Sequence, residues 1–278
     1  MESLGYNFVD FGQMQNKALL SIQAIVNGDS LDEILTSEHY SFTTVSVDGR
    51  GKTSYNVESF FVRGRHGEIY SNSQLEPRSI IIHARVRADR VDDYRDLMNK
   101  INALMFSKKV HTLSFTDEGD ATFYGSCVRV TDEDERSLSQ HVEIEFVCHD
   151  PFKYTEVKTE TVDSASVLNL TTDIAVTPEM ITLNFTSNAD AKSWTLTNVT
   201  QDTSIVFNQI RNVNGSVIRI VPKKNYIGYL TPSQGGNHID GLNVRYSNFD
   251  EFAVHDGDQL VISRPVTSIE VTYRGAKI

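Results

Sequence analysis

The stretch from Val142 to Glu156, VEIEFVCHDPFKYTE, constrains the fold more than any other part of the chain. Apolar residues occupy every second position up to Cys148, with Glu143 and Glu145 on the opposite face, and this period of two is typical of an antiparallel strand with one buried face. Pro151 then ends the strand, because proline has no backbone N–H and disfavours helical geometry in the residue before it. We therefore predict a domain boundary here, with a first domain of residues 1–155 and a second of residues 156–278.

The chain is acidic on the N-terminal side of this boundary and overall. Residues 1–154 contain 24 acidic and 16 basic side chains, and the net charge of the whole chain is −11. A surface of this sign disfavours tight binding of a polyanion. We expect no specific binding of nucleic acid, although an acidic surface suits a passage through which DNA slides.

The short apolar runs and the few cysteines of the chain indicate the cellular compartment in which the protein is made. No apolar run approaches the roughly 18 residues that a membrane-spanning helix needs, and the first residues lack the basic and apolar regions of a signal peptide. We expect a protein that is made and assembled in a cytoplasm without membrane contact. Cys127 and Cys148 both lie in predicted strands, and we expect free thiols rather than a disulfide.

The first domain is predicted to be a β structure with one helix. Residues 79–88 alternate apolar and polar side chains, as expected of a strand with one buried face. Apolar residues from Val91 to Met105 recur at spacings of three and four, with Asp89 placed to cap the helix. Residues 1–21 show no clear period and form an extension of unknown role.

The second domain is predicted to be a β-sandwich. Short β-branched runs recur about every ten residues and are separated by glycine or asparagine turns. The polar residues 156–166 are predicted to form a short linker. Trp194 alternates with Leu196, which predicts that both face the core. The whole chain is therefore expected to be mainly β.

Several short motifs resemble, in the same order, those of the distal tail proteins (Dit) of long-tailed phages. The boundary segment HDPFKYT, residues 149–155, is one of them. The others are IVNGDSL (25–31), Gly49-Arg50-Gly51, Gly64-Arg65-His66-Gly67, Gly257-Asp258-Gln259 and the Val271-Thr272-Tyr273-Arg274 strand end. The chain departs from the family pattern at residues 1–21 and at His66, where the family more often has an acidic residue.

This resemblance implies a structural protein of the virion tail tip. The first domains would build a hexameric ring, and the second, galectin-like domains would project outward. The implied partners are other copies of the chain, the tail tube protein, a tail-associated protein and receptor-binding proteins. DNA would pass through the centre of the ring without specific binding.

Arginines near the glycine turns and on the 79–88 strand are candidates for ring contacts. For the turn at Arg63–Gly67 we weigh three interpretations: a phosphate-binding loop, a plain hairpin turn, and a bridge to acidic side chains of the next subunit. The plain turn is the simplest of the three. The ring-interface candidates are Arg50, Arg63, Arg65, Arg85 and Arg87.

The alternative function is carbohydrate binding in host-surface recognition. Sandwich domains often hold sugars against an exposed aromatic ring, and the interior position predicted for Trp194 makes it a poor candidate. Tyr226 and Tyr229 lie in a sequence that looks loop-like. The candidates for partner or glycan binding are Tyr226, Tyr229 and Tyr246.

No pattern in the sequence indicates catalysis or a cofactor. No Ser, Cys or Lys has the setting of an activated nucleophile. The acidic run Asp132–Glu135 lacks the spacing of a calcium loop, and His238 with Asp240 lacks a third ligand. We expect neither a metal nor a cofactor, and we expect that the protein is not an enzyme.

Overall fold

The computed structural model describes residues 22–132, 137–185, 193–207, 215–222, 251–263, 266 and 268–278, and the backbone of residues 226–230 and 235–237. The chain divides into two compact units, Met1–Pro151 and Phe152–Ile278, here called the first and second unit. Strands dominate both units, so the prediction of a mainly β protein is confirmed.

The first unit contains nine strands and two helices among its described residues. The strands are β1 (Ala24–Val26), β2 (Asp29–Ser30), β3 (Tyr40–Asp48), β4 (Tyr55–Phe61), β5 (Glu68–Leu75), β6 (Arg78–Ala88), β7 (His111–Phe115), β8 (Glu118–Asp132) and β9 (Ser139–Cys148). The helices are α1 (Leu31–Ile34) and α2 (Val91–Met105).

Antiparallel pairing arranges the first unit around the long strand β8. Its first part, up to Gly125, pairs with β7, and its second part, from Ser126, pairs with β9. β9 continues to β6 and β3, whereas β7 continues to β1 and β2. Only β4 and β5, among the described strands of this unit, pair with nothing but each other.

Helix α2 covers the β3 and β6 side of the sheet, as its apolar spacing predicts. Tyr94, Leu97, Ile101 and Met105 are buried against the alternating apolar residues of β6. The capping prediction for Asp89 is wrong. The N-cap position is Arg90, without a side-chain cap, because the backbone N–H of Asp89 donates to His39 and places it outside the helix. Helix α1 is an additional short turn that the sequence did not predict.

The second unit contains nine strands among its described residues. They are β10 (Lys153–Val162), β11 (Met180–Asn184), β12 (Trp194–Asn198), β13 (Thr203–Phe207), β14 (Val217–Val221), β15 (Tyr226–Leu230), β16 (Gly235–Asn237), β17 (Leu260–Ile262) and β18 (Ser268–Lys277). One sheet has the order β16-β15-β14-β11-β18-β10, and the other has the order β13-β12-β17.

The two sheets of the second unit share one apolar core. Trp194 of β12 stacks on Phe207 at 4.0 Å between ring centroids and contacts Phe185 edge-on at 5.9 Å. Ile181, Ile218 and Val271 of the other sheet belong to the same buried cluster. The interior position predicted for Trp194 is therefore correct.

Two local predictions about the second unit are wrong. Residues 156–162 are not a linker: they continue β10, whose residues pair with β18 from Val157 to Val162. Their alternating β-branched side chains suit this ladder despite their polarity. Tyr226 and Tyr229 lie in strand β15 rather than in a loop, because their backbones pair with Val221 and Ile218.

Candidate assembly interface

The β4–β5 hairpin is the most exposed element of the first unit, and we call residues Tyr55–Leu75 the arm. Every residue of β4 is exposed to solvent. The two strands pair from Tyr55 with Leu75 to Phe61 with Glu68, with an irregularity beside Glu58. A lone two-stranded hairpin is at best marginally stable in water, so this element is suited to contact with another surface.

Large apolar side chains cover much of the arm. Strand alternation places Tyr55, Val57 and Phe61 on one face, and the pairing of Ser59 with Tyr70 adds the Tyr70 ring to it. Phe61 alone is 75% exposed. Contiguous exposed apolar surface of this kind marks interaction sites in soluble proteins. The exposed apolar residues of the arm are Tyr55, Val57, Phe60, Phe61, Val62 and Tyr70.

Arg63 and Arg65 lie in the turn at the tip of the arm, and both are exposed. Gly64 and Gly67 have φ values of +88° and +79°, which explains the two glycines of this turn. The turn joins two strands, so it does not have the strand-to-helix geometry of a phosphate-binding loop. The positively charged side chains of Arg63 and Arg65 lie next to the apolar face of the arm, in a unit whose net charge is negative.

Arg50 lies at the base of the arm, and its guanidinium is already bound within its own chain. It donates hydrogen bonds of 2.7 and 2.9 Å to the two carboxylate oxygens of Asp117. The same bonds lower the pKa of the Asp117 carboxyl group. A contact between Arg50 and another subunit remains a prediction, which would have to form around this pair.

Arg85 and Arg87 lie on the solvent face of β6, as the alternation predicted. Arg85 donates to the Ser139 hydroxyl at 3.2 Å. On the same face the His83 ring lies 3.4 Å from the Asp48 carboxylate and 3.3 Å from that of Glu143. This sheet face is therefore a mixed charged surface, and it has less apolar area to bury than the arm.

The tyrosine candidates of the second unit are not brought together by any described contact. Tyr226 and Tyr229 belong to β15, whose backbone alone is described, and Tyr246 lies outside the described residues. His238 and Asp240 also lie outside them. Their roles therefore remain predictions.

Two family motifs form structural contacts rather than exposed sites. In Gly257-Asp258-Gln259, Asp258 is buried and accepts bonds from the Asn198 and Gln201 side-chain amides. In IVNGDSL, the Asn27 side chain contacts the His111 ring at 2.9 Å and joins the β1–β2 turn to β7. Both motifs therefore stabilise the fold.

Potential chemical sites are scarce in the described part of the chain. It contains no group of three His, Cys, Asp or Glu side chains arranged to hold a metal ion. Of the predicted acidic run only Asp132 is described, and residues 133–135 lie outside the description. No helix that the structure describes is long and apolar enough to cross a membrane. Both cysteines are free, and burial raises the pKa of the Cys148 thiol to about 11.

Sequence reasoning missed the isolation of the arm. A signal was available in Phe60, Phe61 and Val62, because three consecutive apolar residues in a strand cannot all face one core. It also missed Arg78, which is buried at the start of β6. Its partners are distant in sequence, so no local pattern pointed to it.

Comparison with known proteins supports the assignment that the motifs indicated. The model of the phage tail protein RIFT-related domain matches residues 25–148, which end with strand β9. The first unit therefore contains a phage tail protein RIFT-related domain. The chain as a whole is similar to the distal tail (Dit) proteins of siphophages.

Three individual proteins are similar to this chain to different extents. The distal tail protein of Bacillus phage SPP1 is 28% identical over 168 residues, which cover 58% of this chain and 66% of that protein, just under two thirds. The crystal structure of SPP1 Dit matches with a TM-score of 0.74 at 18% identity, over 92% of this chain and 99% of that one. The phage P2 baseplate structure with Ca matches at 11% identity, with a TM-score of 0.47, over 91% of this chain and 98% of that one.

Proposed function

We propose that this chain is the hub subunit at the distal end of a siphophage tail and that it assembles into a hexameric ring. The observation that carries the proposal is the arm, whose apolar face is left exposed by the described residues of its own unit. A second copy of the chain is the proposed occupant, because the cationic tip at Arg63 and Arg65 complements the acidic surface of the first unit.

Burial of the arm supplies the driving force for assembly. Covering a side chain such as Phe61 or Tyr70 contributes roughly 1.5–3 kcal/mol each. Several such residues together offset the translational and rotational freedom lost on association, which costs about 4–15 kcal/mol. A contact between the arm of one subunit and a different surface of the next is heterologous, and such contacts close into a ring when the rotation allows it.

The ring would act through its geometry rather than through catalysis. It would join the tail tube to the adsorption apparatus, and its neighbours would be the tube protein, a tail-associated protein and receptor-binding proteins. An acidic inner surface would let DNA pass without binding. We place the protein at the virion tail tip after assembly in the host cytoplasm. The SPP1 relative is named a distal tail protein, which supports a structural role.

Light scattering after size exclusion, with negative-stain images of the same peak, tests the proposal. We expect a mass near six times 31.3 kDa and a ring with a central hole. The double variant Phe61→Ser/Tyr70→Ser should shift the protein toward monomers. Phe106→Ser is the matched control, because Phe106 is similarly exposed but lies outside the arm. A wild-type monomer at every concentration, or a double variant that assembles like wild type, would contradict the proposal.

Carbohydrate binding by the second unit remains the alternative function. The structure removes Trp194 from the candidates, because its ring is buried in the core. A glycan array probed with the full chain tests the remaining aromatics. Reproducible binding that is lost in Tyr226→Ala, Tyr229→Ala or Tyr246→Ala would favour the sugar function, and absence of binding would favour protein docking.

A further inference from the structure

The base of the arm is a sharp turn at Gly49–Lys52, which we call the elbow. The Lys52 N–H donates to the Gly49 carbonyl at 3.2 Å, and Gly49 has a φ of +93°. A Cβ atom at Gly49 would lie 1.8 Å from the Ser79 carbonyl oxygen. The elbow thus packs directly against the start of β6, and a glycine is needed for this close approach.

Arg50 ties the elbow to the β7–β8 turn. Its guanidinium forms the two-bond pair with Asp117, lies 3.7 Å from Glu118, and stacks over the Phe115 ring at 4.8 Å. The Arg50 side chain is only 17% exposed. Such a planar, two-point contact restrains orientation as well as distance.

Arg78, at the start of β6, anchors the chain just after the second strand of the arm. It is 4% exposed, and it donates one bond to the Arg50 carbonyl oxygen and another, of 2.9 Å, to the Pro151 carbonyl oxygen. Its guanidinium also lies 5.5 Å from the Phe123 ring centroid. The two chain segments at the base of the arm are therefore joined to each other and to the rest of the first unit.

Beyond the elbow, the described strand pairing of the arm is that between its own two strands. The Ser54 hydroxyl donates to the Glu76 carboxylate at 2.6 Å, and the Glu76 N–H donates to the Ser54 carbonyl at 2.9 Å. From there to the tip, β4 and β5 pair with no other described strand. The direction of the arm is consequently set by the contacts at its base.

We propose that Arg50, Arg78 and Asp117 are positioning residues that fix the direction of the arm and thereby determine whether subunits assemble. This inference rests on the proposed function, in which the arm contacts a second copy. Strand β4 is about 24 Å long at ~3.4 Å per residue, so a swing of about 20° at the elbow moves its far end by roughly 8 Å. A displacement of that size separates side chains that must be in contact.

Spin labels test whether the elbow orients the arm. One label is placed at Ser71→Cys on the arm and another at Asn99→Cys on α2, in a Cys127→Ser background, with excess unlabelled protein so that only distances within one subunit are measured. We expect a narrow distance distribution, which broadens in Arg50→Gln and in Asp117→Asn. Arg95→Gln, on the exposed side of α2, is the control and should leave it narrow. Unchanged distributions in both elbow variants would overturn the proposal.

Assembly of unlabelled protein provides the second measurement. The elbow variants should raise the subunit dissociation constant about tenfold or more, with the far-ultraviolet circular dichroism spectrum of the protein unchanged. Arg50→Lys, which retains the charge, should recover part of the affinity. A broader distribution with unchanged affinity would overturn the link to assembly. If wild type itself stays monomeric, the proposed function fails, whereas the distance distribution still decides whether the elbow orients the arm.

Discussion

The side-chain amide of Asn198 donates a 2.6 Å hydrogen bond to the carboxylate of Asp258, and both residues are buried in the second unit. The same carboxylate accepts bonds from the Gln201 side chain at 3.1 Å and the His255 backbone N–H at 2.8 Å. One aspartate thus satisfies three donors and joins the end of β12 to the turn before β17.

Replacing this aspartate should destabilise the second unit. Asp258→Ala removes an acceptor of the buried Asn198 amide and the acceptor of the His255 N–H, so we expect the free energy of unfolding to fall by about 1–3 kcal/mol. Trp194 is the only tryptophan, and its fluorescence during urea unfolding reports on this unit. The exposed Asp163→Ala is the control and should change little. A loss below about 1 kcal/mol in Asp258→Ala would show that the donors find other partners.

The elbow glycine provides a prediction for the first unit. Gly49→Ala combines an unfavourable positive φ with a clash against the Ser79 carbonyl, whereas Gly28→Ala has a similar φ of +94° and open space around its Cβ. We expect a loss of roughly 1–2 kcal/mol for Gly28→Ala and about 3 kcal/mol or more for Gly49→Ala. Calorimetric melting measures both. Equal losses would mean that the chain relaxes around the new methyl group.

Charge reversal at the tip should weaken assembly. Arg63→Glu with Arg65→Glu replaces attraction to an acidic neighbour by repulsion, and we expect a rise of about tenfold in the subunit dissociation constant. The rise should shrink at high salt, because the charges are exposed. Sedimentation velocity at two salt concentrations measures this effect, with Arg95→Glu as the control. Unchanged assembly would remove Arg63 and Arg65 from the interface.

The buried thiol of Cys148 should resist alkylation. Its pKa rises from 9.0 to about 11 because burial disfavours the thiolate, so about hundredfold less thiolate is present at pH 8. In Cys127→Ser, iodoacetamide should react far more slowly with the folded protein than with the urea-unfolded chain. Similar rates in both states would contradict the burial.

The same shift has a consequence for stability. The folded-state pKa is raised, so the neutral thiol stabilises the folded state fully below pH 9.0, and this contribution is lost as the pH rises toward 11. The stability difference between the Cys127→Ser protein and the further Cys148→Ser change should therefore decrease across this range. A constant difference would contradict the raised pKa.

Much of the fold could be predicted because its signals are local. Helix α2 begins at Val91 and ends at Met105, where the spacing of apolar residues predicted it. The strand of residues 79–88 likewise follows from alternation, and the structure extends it by one residue to Arg78. The spacing of apolar residues shows which face of a helix or strand is buried, whichever element covers that face.

The interface depended on information that the local sequence does not contain. The strands of the arm were predictable, but their exposure among the described residues depends on how the whole unit packs. Arg78 is buried because Phe123 and Pro151 reach it, and both are far away in sequence. Gly228 made Tyr226 and Tyr229 look like loop residues, yet pairing with β14 outweighed that local preference.

The pairing of β1 with β7 also constrains when the first unit can fold during synthesis. Ala24 pairs with Phe115, which emerges from the ribosome roughly 90 residues later. At about 5–20 residues per second, β1 waits about 5–20 seconds for its partner. During that interval the arm has already been made, and its aromatic face is accessible to other nascent chains. The order of translation therefore leaves β1 without its β7 partner throughout this period.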